Sequence, residues 1–178
     1  MSAASDFWTR LRARQGSLTN KEAAVNPKPM LEETFIVKAP LERTWELLSD
    51  MEKFGSCIPG CKEVRKISET EYEWVLEAKV LRTSRTIVAK TQVTETKPPV
   101  HASFQGEGEL HERFSRYRVA LSGATDLEPI SEGETKITFS GGIHASGARG
   151  FIINKIVSGQ MQGLLRDFEQ NIRAVLEK

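Results

Sequence analysis

The side chains that could do chemistry are few, and their spacing suits little of it. Cys57 and Cys61 stand four apart in the run Cys57-Ile58-Pro59-Gly60-Cys61, and the histidines are His101, His111 and His144. A zinc site draws on four ligands in paired short spacings, which these residues do not supply, so no metal is expected. A cysteine nucleophile needs a base, and His144 is the candidate only if the fold carries it to Cys57 or Cys61. A disulfide across Pro59-Gly60 is geometrically conceivable, but two cysteines do not make a disulfide scaffold. The plainer expectation is a pair of small apolar packers. No carboxylate pair or nucleophile elbow stands out, and Gly106-Glu107-Gly108 lacks the third glycine and following helix of a dinucleotide loop. Arg113, Arg116 and Arg118 alternate with Phe114 and Tyr117, which reads as a solvated strand face, not a nucleic-acid contact. Thr91, Tyr117 and His144 are the inward polar candidates, a thin set for acid–base catalysis.

The elements that would position these groups are clearer. Residues 151–178 carry Ile153, Val157, Met161, Leu164, Phe168, Ile172 and Val175 at steps of three and four. That is one face of an α-helix, with Lys155, Gln162, Arg166, Glu169 and Arg173 left for water. Such a stripe needs a large apolar surface opposite. Upstream, 32–38 reads as a strand with Phe35 and Val37 on one side. Pro40 suits a first helical turn, and Trp45, Leu48 and Met51 recur at helical spacing, so 41–49 is predicted as a short amphipathic helix. An irregular apolar stretch around Phe54 then runs to a turn at Pro59-Gly60.

Six further strands are predicted, at 61–67, 71–80, 85–96, 100–109, 114–124 and 135–145, by alternation of apolar and polar residues. Their inward sides hold Trp74 and Leu76, Ala89 and Thr91, Phe104, Tyr117 and Val119, and Phe139. Gly106, Gly108, Gly123 and Gly141 fall on inward strand positions and mark bends. Gly159 and Gly163 lie inside the final helix, where they predict either close helix–strand packing or space for a ligand. The sum is an α+β domain, a curved antiparallel sheet of about seven strands around a long C-terminal helix.

A chain of 178 residues, 39% of them hydrophobic, can bury one sizeable core. Its net charge of +1 drives it toward neither nucleic acid nor membrane. No run approaches the roughly 18 apolar residues of a membrane span, and the start lacks the order of a secretory signal. A cytoplasmic protein is expected. Residues 1–30 differ from the rest: Arg10, Arg12, Arg14, Lys21 and Lys28 against Asp6 and Glu22 give +3, leaving −2 for residues 31–178. Composition marks 1–30 as a flexible basic tail. The sharper alternative is a foot formed by Phe7, Trp8, Arg10, Arg12 and Arg14 that touches a membrane surface or a partner.

Ala39-Pro40-Leu41-Glu42-Arg43-Thr44-Trp45 after a strand, Asp50-Met51-Glu52-Lys53-Phe54, then Cys57-Ile58-Pro59-Gly60-Cys61 resembles the CoxG family of carbon monoxide dehydrogenase subunits. That family belongs to the START-like, SRPBCC, helix-grip superfamily. The likeness covers roughly residues 31–176, and the Gly106-Glu107-Gly108 strand and the glycine-containing final helix agree with it. After Gly108 the chain departs from the family's glycine-rich pattern with Leu110-His111-Glu112-Arg113-Phe114-Ser115-Arg116. The resemblance implies an elongated apolar cavity between sheet and C-terminal helix, holding a quinone or lipid-like molecule. It also implies a molybdenum hydroxylase of the CO dehydrogenase type as partner, and a peripheral position at the inner face of a membrane.

On this reading the ligand would be lined by Trp74, Leu76, Ala89, Phe104, Tyr117, Val119 and Phe139 of the sheet. Ile153, Val157, Met161 and Leu164 would face it from the helix. Phe54, Cys57, Pro59 and Cys61 would form the gate. No catalytic residue is assigned, and binding is favoured over catalysis. A polyketide cyclase or hydratase using the same cavity, and an assembly adaptor with a filled core, are the alternatives.

Overall fold

The computed structural model describes residues 31–80, 83–111, 116–147 and 150–178, with the backbone alone at 78–80, 152, 153 and 156. The candidate foot of Phe7, Trp8, Arg10, Arg12 and Arg14 lies outside the described residues. In chain order the elements are β1 (Leu31–Val37), α1 (Leu41–Ser49), α2 (Met51–Cys57), β2 (Cys61–Lys66), β3 (Glu71–Val80), β4 (Thr83–Lys97), β5 (His101–His111), β6 (Arg116–Ser131), β7 (Glu134–Ala145) and α3 (Gly150–Leu176). The strands make one open antiparallel sheet in the order β1-β7-β6-β5-β4-β3-β2. The fold is a helix grip: sheet on one side, all three described helices on the other.

Alternation places the strands as expected. Ile87, Ala89 and Thr91 are buried on one side of β4, and Val119, Gly123 and Leu127 on the same side of β6. β6 runs seven residues past its expected end, through Pro129. A proline is tolerated there because the Leu127 N–H, two residues earlier, points to the Val100 carbonyl on the β5 side. Pro129 faces the same way, beyond the last β5 partner, so its missing N–H costs no ladder bond.

Three expectations are corrected. The stretch around Phe54 is helical, not irregular: Asp50 caps α2 by accepting from the Lys53 amide at 3.2 Å. In α3 the inward positions are Met161, Leu165, Phe168, Ile172 and Leu176, while Leu164 and Val175 are exposed. The stripe follows 3.6 residues per turn, and 165 and 176 continue it better than neighbours chosen by hydrophobicity alone. Gly159 and Gly163 lie on the outer face, where an added Cβ would meet nothing within 4 Å. They neither pack closely on a strand nor leave space inside.

The inward sheet glycines do bring chains together. A Cβ on Gly123 would stand 2.5 Å from the Phe104 ring, and one on Gly106 would meet the Lys90 carbonyl oxygen. The Phe104 ring therefore lies across bare backbone of the neighbouring strand. Pro59-Gly60 is a turn as expected, with Gly60 at φ +80° and its carbonyl accepting from the Glu77 amide at 2.8 Å.

The core has two parts. The larger joins Phe35, Val37, Leu47, Leu48, Phe54, Trp74 and Ile137 to Phe168, Ile172 and Leu176 of α3. Phe54 packs edge-on against Trp74 and Phe168, with ring centroids 6.3 and 5.9 Å away. Such pairs add about 0.5–1.5 kcal/mol each beyond the area they bury. The smaller cluster holds Ile87, Ala89, Leu110, Val119 and Ala145, with Val157 of α3 against it.

Candidate functional site

A partly covered hollow lies where α1 and α2 cross the inner face of the sheet. Trp45 and Leu48, three apart on α1, and Met51 and Phe54, three apart on α2, each share a helical face, and the extended Asp50 between the helices lets both faces meet the hollow. Beneath them are Tyr72 and Trp74 of β3, Thr91 and Val93 of β4, Phe104 of β5, and Thr125 and Leu127 of β6. The cavity measures about 40 Å³. One water needs roughly 10–15 Å³ on this scale, and a drug-sized ligand needs roughly 300–1,000 Å³. This conformation therefore has room for a few water molecules at most, and a quinone would enter only after the helices or nearby side chains move.

The polar groups of the cavity are neutral. The Trp74 Nε1–H donates to the Thr91 Oγ1 at 2.8 Å, which fixes the indole edge. Tyr72 and Thr125 add hydroxyls, and among the described residues no carboxylate, histidine or lysine lines the space. A second concavity, about 410 Å³, is an open trough on the opposite face of the sheet. Thr94, Ser103, Gln105, Ser122 and Ser140 form it, and His101 at its end holds Asp126 at 2.7 Å. Its volume is open to solvent, so the smaller, apolar hollow is the better candidate for a hydrophobic ligand.

Of the residues expected to line a ligand, Trp74 and Phe104 do line this cavity. Phe139 packs on Phe54 and Phe168 behind it. Ala89 and Val119 are buried in the smaller cluster, with Leu76, Tyr117 and Val157 packed against it. Met161 is half-buried, Leu164 is 40% exposed, and Ile153 is described by its backbone alone. The expected gate divides. Phe54 is 4% exposed and forms a wall of the cavity instead of a rim, Cys57 is buried, and Pro59 and Cys61 are half-buried.

The cysteines are free thiols, and burial pushes both above the usual thiol range, so they stay protonated near neutral pH. His144 does not reach them. The Cys57 carbonyl accepts from Asn171 at 3.0 Å, whereas His144 lies beside Asn154 at 3.3 Å. Those two asparagines are 17 residues apart on α3, about 26 Å at 1.5 Å per residue. No group of three or more histidines, cysteines or carboxylates that could hold a metal occurs among the described residues.

Sequence reasoning misses the part played by α1 and α2. Trp45, Leu48 and Met51 are legible as one helical face, and Tyr72 as a neighbour of Trp74. No local period says that this face covers β3 to β6, so the sequence places the cavity one helix away.

The profile of the CoxG family of carbon monoxide dehydrogenase subunits matches residues 34–177. A conserved protein from Geobacillus kaustophilus is similar in structure, with a TM-score of 0.70 at 26% identity over 82% of this chain and 93% of that one. A START superfamily protein from Mycobacterium smegmatis superposes with a TM-score of 0.54 at 13% identity, covering 83% of this chain and 96% of that one. An aromatase/cyclase from a Streptomyces species gives 0.54 at 15% identity, covering 82% and 94%. Among curated protein sequences none matches.

Proposed function

From the premise that the chain belongs to the CoxG family of carbon monoxide dehydrogenase subunits, we propose that it binds an uncharged hydrophobic small molecule, quinone- or lipid-like, between the sheet and its helices. The observation that carries this reading is the aromatic-walled cavity under α1 and α2, whose polar groups are all neutral. Burying apolar ligand surface supplies affinity at roughly 25 cal/mol per Å² before association costs, and few polar contacts are needed. The same lack of carboxylate and histidine in the lining argues against a cyclase or hydratase, which needs positioned acids and bases. The aromatase/cyclase likeness is one of fold.

The family's name supports a partner of the CO dehydrogenase type, a molybdenum hydroxylase, which the chain would serve as carrier or membrane-association factor. No helix among the described residues is long and apolar enough to cross a membrane. Contact with the inner face of a membrane would then be peripheral, through Phe7, Trp8, Arg10, Arg12 and Arg14. The test is solvent extraction of protein purified from its native host, with mass spectrometry of the extract. A hydrophobic compound near one per protein is expected. An extract matching that of an unrelated protein purified alongside would overturn the reading.

A further inference from the structure

We infer that the outer face of the sheet is the docking surface for residues 1–30 of the same chain, with Phe7 and Trp8 set into its trough. The inference stands apart from the inner cavity and its ligand. All three described helices lie on the inner face, so among the described residues nothing covers the outer one. The middle of that face is hollow. Ser140, Ala124 and Ser103 stand in one row across β7, β6 and β5, and Ser122 stands beside Gln105 in the next. Their short side chains leave the trough of about 410 Å³. That lies within the roughly 300–1,000 Å³ that receives a drug-sized molecule, so a pair of aromatic side chains has room.

Charge selects the occupant. In the rows that cross the trough and flank it, Glu32, Glu71, Glu95, Glu107 and Asp126 stand against Lys90 and Lys97. Glu73 is matched by Arg65, so with histidine neutral five acids against two bases leave −3. Residues 1–30 carry +3, with Arg10, Arg12 and Arg14 next to the apolar Phe7 and Trp8. Chain continuity favours this segment over a second copy. It enters the sheet at Leu31, and Glu32 of β1 is the register partner of Ser140 in the trough. Trp8 precedes Leu31 by 23 residues. A chain of that length spans roughly 26 Å, against about 14 Å from β1 to β5 at about 4.8 Å per strand. Such a tether keeps its far end at about millimolar effective concentration over the face. A foot docked here is withheld from a membrane, so the peripheral contact proposed above would draw on its released form.

Trypsin cutting after Arg10, Arg12 and Arg14 in the full chain reads the docking, with a synthetic peptide of residues 1–28 as the reference for unhindered cutting. At low salt the full chain should be cut about tenfold more slowly than the peptide, as a millimolar effective concentration over a contact of about 0.1 mM gives. Raising salt to about 0.5 M should remove most of that protection. Ala124→Arg fills the trough floor and reverses its field, and should bring cutting to the peptide's rate. Glu107→Lys, at the margin, should speed cutting severalfold without entering the trough, and Ala124→Ser should change nothing. Continued resistance after Lys136, inside β7, reports that each variant is folded. Wild-type cutting at the peptide's rate, or protection that survives both A124R and E107K, would overturn the inference. Protection that grows with protein concentration would put the segment on a second copy and overturn it as well.

Discussion

The two halves of α3 lie on one sheet but are held by different means. The second half buries Phe168, Ile172 and Leu176 against β1, β7 and the aromatic rings around Phe54. Arg173 adds a cation over the Phe35 ring at 5.7 Å, and the Lys38 amide donates to Glu177 at 3.0 Å. Among its described side chains the first half has Val157 against the smaller cluster and a polar clasp, Asn154, which bonds both the N–H and the carbonyl of Ala145. Phe151 beside that clasp is 77% exposed. Apolar burial scales with area and holds everywhere it reaches, whereas a single clasp holds one point. The first half should therefore open at much lower free energy than the second.

Truncation gives the largest test of that contrast. Ile172→Ala removes a side chain with no exposed surface and should cost about 3 kcal/mol, whereas Val157→Ala, half-buried in the first half, should cost about 1 kcal/mol. Urea unfolding of both variants measures this, and similar losses would mean the halves are equally held. Asp50→Ala comes next, with a loss of about 1 kcal/mol for the cap of α2. The Lys53 amide and side chain hold the Asp50 carboxyl below its ordinary value, so its stabilisation is present above the carboxylate range and fades as pH falls through it. The gap between wild type and D50A should then narrow in acid, while Asp50→Asn should keep much of the cap with little pH dependence. The smallest effect has the opposite sign. Gly159→Ala should raise stability by about 0.5–1 kcal/mol, because helical alanine is favoured and its methyl meets open space. Thermal melts that shift downward would show that the outer face of the first half is covered.

How far the molecule is legible from sequence follows the range of the interactions concerned. Alternation in β3 and β4 is written residue by residue, so Trp74, Ala89 and Thr91 can be placed on the inner face without coordinates. Pro40 and the spacing of Trp45 and Leu48 mark α1 to the residue. The second helix is hidden because Gly55 and the short Met51–Cys57 run carry a weak local signal, although Asp50 just before Met51 is a helix-capping residue type. The phase of α3 slips by one residue at Leu164 and Val175, since adjacent leucines and valines look alike until packing chooses between them. The cavity itself depends on α1 and α2 meeting strands up to about 80 residues away, a long-range arrangement that no window of sequence contains.

The pairing of β1 with β7 carries one more consequence. Leu31 and Gly141 are partners across about 110 residues of chain. At translation rates of about 5–20 residues per second, β1 waits roughly 5–20 seconds on the ribosome before its partner is made. Throughout that delay Phe35 and Val37 have no sheet to join, which makes the segment a natural client for a holding chaperone until β7 arrives.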